Sequence, residues 1–440
     1  MNSVFRILHP ITVFIAGWVT WWVVFFLAPY GDIDGNFYFK HKAFPLLIKF
    51  SLMFLLGIIV ALFLVRKKNI RFNQNISVDK LVKPVILTLF IAMVADILQT
   101  IDLIFATGGA ESFMEARENF RAQAAASIFP SSVWSAIFLL FKVSSFPIFI
   151  ALVFINDFKS RYPWLFFWSL VVSLYPLLNM IAFGKKAFMI ITLGIYIWFA
   201  LYFGLFKNKK NAVKILIVMI ILFILSGAGF AYRSGSALAF LVTVTAEYNM
   251  AENVQPSEKF VEDVEEKIAR KDRIGYGLRL GGMVFAQYYN HGIFEFFHLY
   301  DWKPKNLNNN GTATLSMFYK VLAGVGLLQS IEYYRESDSI IDNKNWVFDS
   351  FYGGQLKDWG EDNAYYSFFF IGMFFALLYR LAQSSIFAFP LYAVTSNVIF
   401  FIPVTDLIYN GQYWHYFTLS LVFYLYMEFV AGRTKRRNMH

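Results

Sequence analysis

The chain contains no cysteine, which excludes disulfide bonds and thiolate metal sites. Charged residues are scarce as well: they make up 15% of the sequence, whereas soluble domains usually carry about a quarter. No Gly-rich phosphate-binding loop, H-E-x-x-H zinc motif or Cys/His cluster occurs. The sequence therefore predicts no nucleotide-binding domain, no metal site and no cofactor.

Apolar residues are abundant instead: 58% of the chain is hydrophobic and 20% is aromatic. They form long runs, several of which reach the roughly 20 residues that a helix needs to cross a bilayer. We expect an all-α polytopic integral membrane protein with about ten transmembrane helices. The predicted helices are 11–28, 44–65, 84–107, 133–154, 164–183, 187–206, 215–231, 365–382, 386–404 and 414–431.

The net charge of +10 is spread over short segments between the apolar runs, so it predicts membrane orientation rather than nucleic-acid binding. Basic residues concentrate in the segments 66–83, 207–214 and 432–440. This bias favours a cytoplasmic N-terminus and a cytoplasmic C-terminus. Lys185 and Lys186 break the pattern, because the helix count puts them on the outer side. They indicate either a miscounted helix or a pair of cations that binds an anion there.

The predicted helices divide the chain into three parts. Residues 1–231 hold helices one to seven, 232–364 form one large outer loop, and 365–440 hold helices eight to ten and a basic tail. Within the loop, an amphipathic surface helix is predicted to begin at Pro256–Ser257 and to end at Gly275. Two pairs at i,i+4 spacing support it, Asp263 with Lys267 and Glu266 with Arg270.

The next stretch of the loop, YGLRLGGMVFAQYYNHGIFEFFHLYDWKP, mixes aromatic residues with polar and ionisable ones. It is too polar to span a membrane and too apolar to be free in water. Aromatic faces beside carboxylates suit sugar rings, whose C–H faces stack while their hydroxyls form hydrogen bonds. An interfacial aromatic belt accounts for the composition equally well.

Two stretches carry a resemblance to a known family. FGKKAFMIITLGIYIWF looks like a Gly-basic step that opens a helix, and NWVFDSFYGGQLKDWGEDNAYYSFFFIGMFFALLY looks like an Asp-aromatic-Gly return into the membrane at Asp358–Gly360. Together with many helices and one late outer loop, they resemble the Wzy-type O-antigen polymerases, which join oligosaccharide repeat units. The family often has Arg where this chain has Lys185 and Lys186.

The resemblance implies a GT-C-like fold with a mainly helical periplasmic loop in the bacterial inner membrane. It also implies a membrane glycosyltransferase that moves a glycan from undecaprenyl pyrophosphate to a second lipid-linked repeat unit. Membrane lipid, a chain-length regulator and a flippase are the implied partners, and nucleic acid is not among them. The leaving pyrophosphate needs cations. The candidates are Arg233, Arg279, Arg117, Arg121, Lys185 and Lys186, with Arg233 first because it follows helix seven at headgroup depth.

The acceptor hydroxyl must lose its proton to a base within reach. Chemistry alone makes candidates of His291, Glu295, His298, Asp301 and Asp358, and nothing in the sequence ranks them. An O-antigen ligase, which shares the donor and differs in the acceptor, fits nearly as well. A flippase or transporter is a third hypothesis, although the sequence shows no internal repeat. A sensor or scaffold is disfavoured because no inner domain is predicted.

Overall fold

A computed structural model of the chain describes residues 7–28, 41–65, 78–107, 160–183, 186–203, 256–301, 350–408 and 412–437, together with isolated positions at 149, 210, 213, 217, 309, 311, 312, 314, 315, 319, 322 and 327. Every regular element in this described part is helical. The α-helices are α1 (Pro10–Leu27), α2 (Phe44–Leu64), α3 (Val78–Thr107), α4 (Pro163–Phe183), α5 (Lys186–Tyr202), α6 (Glu258–Ala269), α7 (Arg273–Asp301), α8 (Phe351–Ser384), α9 (Phe389–Phe401) and α10 (Gln412–Arg437).

Four of the described helices are long and apolar enough to cross a bilayer: α1, α2, residues Leu81–Leu98 of α3, and α8. Shorter apolar segments occur in α4, α5, α9 and α10. The expectation of a helical protein with helices able to span a membrane is confirmed. Eight of the ten predicted spans coincide with described helices. The predicted spans 133–154 and 215–231 lie outside the described residues, apart from the isolated positions Phe149 and Ile217.

The chain forms two compact units, which are Met1–Ile70 with Gly235–Phe417 and Arg71–Ser234 with Thr418–His440. In the second unit, helices α3, α4 and α5 pack through aromatic and hydroxyl side chains. Tyr162 donates a 2.7 Å hydrogen bond to Asp79 at the start of α3, and Tyr196 of α5 donates one to the Ser173 carbonyl of α4. The ring of Phe149 packs against Phe199 at 4.9 Å.

In the first unit, α2 packs along α8 with unusually close backbones. A Cβ atom on Gly372 would lie 2.2 Å from the Phe54 carbonyl oxygen, so the contact requires glycine. Phe50 stacks on Phe368, and further along Arg380 donates to the Leu62 carbonyl at 2.8 Å. Because both residue numbers rise together along the contact, the two helices run parallel.

Helix α8 is not straight, because it folds back on itself at Gly360. The Gly360 backbone has φ 69° and ψ 173°, a conformation that is accessible essentially only to glycine. The ring of Tyr352 stacks on Phe368 at 5.4 Å, and the Ser367 hydroxyl donates to the Gln355 side chain. In a straight helix, residues 352 and 368 would be about 24 Å apart.

We call residues 351–359 the α8 arm and residues 361–384 the α8 stem. The predicted span 365–382 corresponds to the stem, whereas the arm falls in what was predicted to be the last part of the outer loop. The arm is mostly buried: Phe351, Tyr352, Gln355, Leu356 and Asp358 are fully inaccessible to solvent. Asp358 and the two glycines of the arm therefore belong to the packed interior of this unit, whereas Asp362, just past the bend, is exposed.

Helix α7 crosses the end of this unit where the arm lies. Its residues contact four different elements: Phe294 packs on Phe25 of α1, Phe296 on Phe50 of α2 and Tyr352 of the arm, and Tyr289 on Phe401 of α9. At its C-terminal end, Asp301 lies 2.9 Å from His41, just before α2. These contacts hold the central part of α7 in a fixed position over the other helices.

Helix α6 matches the predicted amphipathic helix at its start but not at its end. Ser257 caps it, and both predicted pairs form, Asp263 with Lys267 at 3.8 Å and Arg270 with Glu266. The prediction that Gly275 ends it was wrong. The helix ends at Ala269, and a tight corner at Lys271 (φ 59°) leads into α7, which contains Gly275.

Candidate functional site

The central part of α7 carries the candidate acid–base residues of the first unit. His291 and Glu295 are buried, with 2% and 8% of their surfaces exposed. Because they are four residues apart on one continuous helix, they lie on the same face. Position 298 follows on that face at i+7, but the side chain of His298 lies outside the described residues. Burial raises the pKa of Tyr289, two residues before His291 on the same helix.

A buried irregular segment, residues 402–408, faces this part of α7. It joins α9 to α10, and the apolar helical stretch that contains α9, Ile386–Phe401, is shorter than the roughly 20 residues of a typical membrane span. Gly292 allows the segment to approach α7, since a Cβ atom there would lie 2.3 Å from the Val404 carbonyl oxygen. The polar side chains of the segment are those of Thr405 and Asp406, both almost fully buried.

Asp406 is held between its own segment and the α8 arm. Its Oδ1 accepts a 2.9 Å hydrogen bond from the Ile408 backbone N–H. Its Oδ2 lies against Gly354, where a Cβ atom would be only 2.0 Å away. The arm is fixed next to the same segment, because the Phe351 N–H donates to the Ile402 carbonyl at 3.2 Å. Two glycines, one on α7 and one on the arm, thus enclose this segment.

Asp358 is buried in a hydrogen-bond chain whose direction is determined throughout. Its Oδ2 accepts from both the backbone N–H and the hydroxyl of Thr314, at 2.6 and 2.5 Å. The Thr314 hydroxyl accepts in turn from the Gln355 amide at 2.8 Å, and Gln355 accepts from Ser367. These contacts, with the Gly311 N–H donating to the Asp358 carbonyl, tie the turn around residues 309–315 to the α8 arm.

Arg279 is the candidate cation whose side chain the structure describes, and it lies far from the acid–base residues. Arg279 is 57% exposed and forms an ion pair with Asp263 at 2.9 Å. It lies twelve residues before His291 on the same helix, which places them about 18 Å apart along its axis. The two cannot contact one reacting bond in this arrangement. Asp301, 56% exposed at its side chain, is likewise at the helix end, paired with His41.

The remaining cation candidates cannot be located. Arg117, Arg121, Lys185 and Arg233 lie outside the described residues. Lys186 begins α5, but its side chain is also outside the described part. Their assignment to a pyrophosphate stays a prediction.

The sequence interpretation missed Asp406, Thr314 and Gln355. Asp406 follows the apolar run NVIFFIPVT, and a lone acid there gives no sign that the chain has left the helix. Thr314 and Gln355 are ordinary polar residues whose importance comes only from their contacts with Asp358. One signal was present: Gly353–Gly354 within a helical segment indicates a close approach of another group.

Comparisons with protein-family models, curated proteins and solved structures found no match to this chain. The chemistry of the site is therefore argued from the residues of this chain alone. Buried carboxylates and an imidazole at the end of a set of apolar helices can accept or donate protons in a place of restricted water access. In the described residues, no three His, Cys, Asp or Glu side chains are grouped to hold a metal ion.

Proposed function

We propose that this protein is a membrane glycosyltransferase that polymerises oligosaccharide repeat units carried on undecaprenyl pyrophosphate. The observation that supports this best is the buried face of α7 bearing His291 and Glu295. Ionisable groups buried away from water are energetically costly, and such groups are candidates for a functional site. The resemblance in sequence layout to the Wzy-type polymerases gives the reaction class.

In the proposed reaction, a hydroxyl oxygen of the acceptor glycan attacks the anomeric carbon of the donor. The bond between that carbon and the phosphate oxygen breaks, and the undecaprenyl pyrophosphate leaves with the electron pair. The acceptor proton passes to a base, for which Glu295 or His291 is the assigned group. The developing charge on the pyrophosphate requires cations, and Arg233 remains the first candidate.

A gene deletion tests the polymerase assignment directly. Lipopolysaccharide from the deletion strain is separated on a silver-stained gel and compared with that of the complemented strain. A polymerase defect leaves a single repeat unit on the lipid A core, and complementation restores the ladder. Complete absence of repeat units on the core contradicts the polymerase assignment and indicates a ligase or a flippase.

A flippase or transporter is the second candidate, and one structural observation favours it. Transporters use interrupted helices whose ends meet within the membrane. Here the start of the α8 arm meets the end of α9, where the Phe351 N–H donates to the Ile402 carbonyl. The two functions differ in where the lipid-linked unit accumulates. Without a flippase it stays on the cytoplasmic face, whereas without a polymerase single units reach the outer face and accept external labels.

A further inference from the structure

Two buried hydroxyl groups, one on each side of the contact between α7 and the segment 402–408, have no hydrogen-bond partner in the described part of the chain. They belong to Tyr289 of α7 and Thr405 of the segment, which are 4% and 3% exposed. A buried hydroxyl without a partner has lost its hydrogen bonds to water and gained none in exchange. Native proteins contain few such groups, and a ligand that binds them is one explanation.

The two side chains meet at one close approach of backbones. Gly292 of α7 admits the Val404 carbonyl, because a Cβ atom there would lie 2.3 Å from that oxygen. Tyr289 precedes Gly292 by three residues, and its ring packs on that of Phe401 with a centroid distance of 6.2 Å. Thr405 directly follows Val404, and its N–H donates to the Phe401 carbonyl at 3.0 Å.

The same approach is next to a proposed base. Residues three apart on a helix are neighbours, so Tyr289, Gly292 and Glu295 form one row along α7. The segment 402–408 crosses this row at its glycine. Glu295 is about 4.5 Å from Gly292 along the helix axis. A molecule held at Gly292 is therefore within one helical turn of Glu295.

We propose that the Tyr289 and Thr405 hydroxyls form a subsite for sugar hydroxyls of the acceptor repeat unit, which enters when the segment 402–408 separates from α7 at Gly292. This inference rests on the proposed function. Sugar hydroxyls and both side-chain hydroxyls can each donate and accept, so they satisfy one another. The two unsatisfied groups disfavour the closed contact relative to the occupied one. Binding there brings the acceptor next to Glu295.

The test is calorimetric titration of full-length protein in detergent with the free repeat-unit oligosaccharide. Mild acid releases this glycan from the lipid-linked units of the deletion strain, and without its pyrophosphate it cannot act as a donor. For Tyr289→Phe and for Thr405→Val we expect a Kd about 2- to 10-fold higher, which corresponds to the loss of one hydrogen bond. The melting temperature should not fall, because neither hydroxyl is hydrogen-bonded in the closed contact.

Tyr352→Phe is the matched control. Tyr352 is also buried, but its hydroxyl lies 2.7 Å from the Ser51 hydroxyl. Here we expect the reverse result, a lower melting temperature and an unchanged glycan affinity. A lower melting temperature in both Tyr289→Phe and Thr405→Val would show that these hydroxyls are bonded within the protein and would overturn the proposal. So would wild-type glycan affinity in both variants.

The binding assay involves no sugar transfer, so it separates the subsite from the reaction. Wild-type affinity in both variants refutes the subsite and leaves the proposed function to the lipopolysaccharide gel. A gel that shows no repeat unit on the core refutes the polymerase, whereas the titration still decides the subsite.

Discussion

Removing the Asp358 carboxylate tests whether it joins the turn at residues 309–315 to the α8 arm. In Asp358→Ala, both the N–H and the hydroxyl of Thr314 lose the acceptor that they now share. Each buried donor left without an acceptor costs about 1–3 kcal/mol, so we expect a loss of about 3–5 kcal/mol. Asp358→Asn keeps an acceptor oxygen in the same place and should cost about 1–2 kcal/mol, mainly from the lost charge assistance.

The measurement is unfolding of the purified protein in detergent, followed by tryptophan fluorescence over a denaturant series. Thr314→Val supplies the partner for a double-mutant cycle with Asp358→Ala, because it removes the hydroxyl and preserves the side-chain shape. We expect a coupling energy of about 1 kcal/mol or more between the two positions. An Asp358→Ala protein within about 1 kcal/mol of the wild type, or strictly additive losses, would refute the described hydrogen-bond chain.

Three further perturbations have defined outcomes. Gly360→Ala should destabilise the fold by about 1–3 kcal/mol because alanine is strained at φ 69° and ψ 173°, and thermal melting measures it; an unchanged melting temperature contradicts the fold-back. Gly372→Ala should cost about 1–3 kcal/mol by forcing α2 away from α8, with Gly282→Ala as the neutral comparison. Arg233→Ala should abolish polymer while the protein still inserts normally, and a full-length polysaccharide ladder in this variant would remove the assigned role.

The helical framework could be predicted from the sequence because hydrophobic runs and charge pairs are local signals. Eight predicted spans and the pairs along α6 depend on residues close together in the chain. The end of α6 could not be placed as well. Gly275 is a plausible stop signal, but the corner at Lys271 and the continuation into α7 depend on how the two helices pack.

The arrangement of the site depends on long-range contacts that no local pattern encodes. In the sequence, Asp358 cannot be distinguished from an acid at an exposed helix start. In the structure it is buried and accepts a hydrogen bond from Thr314, 44 positions earlier. The importance of Asp406 arises from Gly354, on another helix. The i,i+4 spacing of His291 and Glu295 places them on one face once α7 is known to be a helix, whereas their burial depends on the elements that pack against α7.

The fold-back of α8 has a consequence for the order in which the protein is assembled. The stretch that the arm packs against at Ile402 and Asp406 is synthesised about 50 residues after the arm itself. Until that stretch is present, the α8 arm lacks part of the surface that buries it in the complete fold. Chains that stop after α8 should therefore be recognised as unfinished by membrane proteases, even though most of their hydrophobic segments have already been inserted.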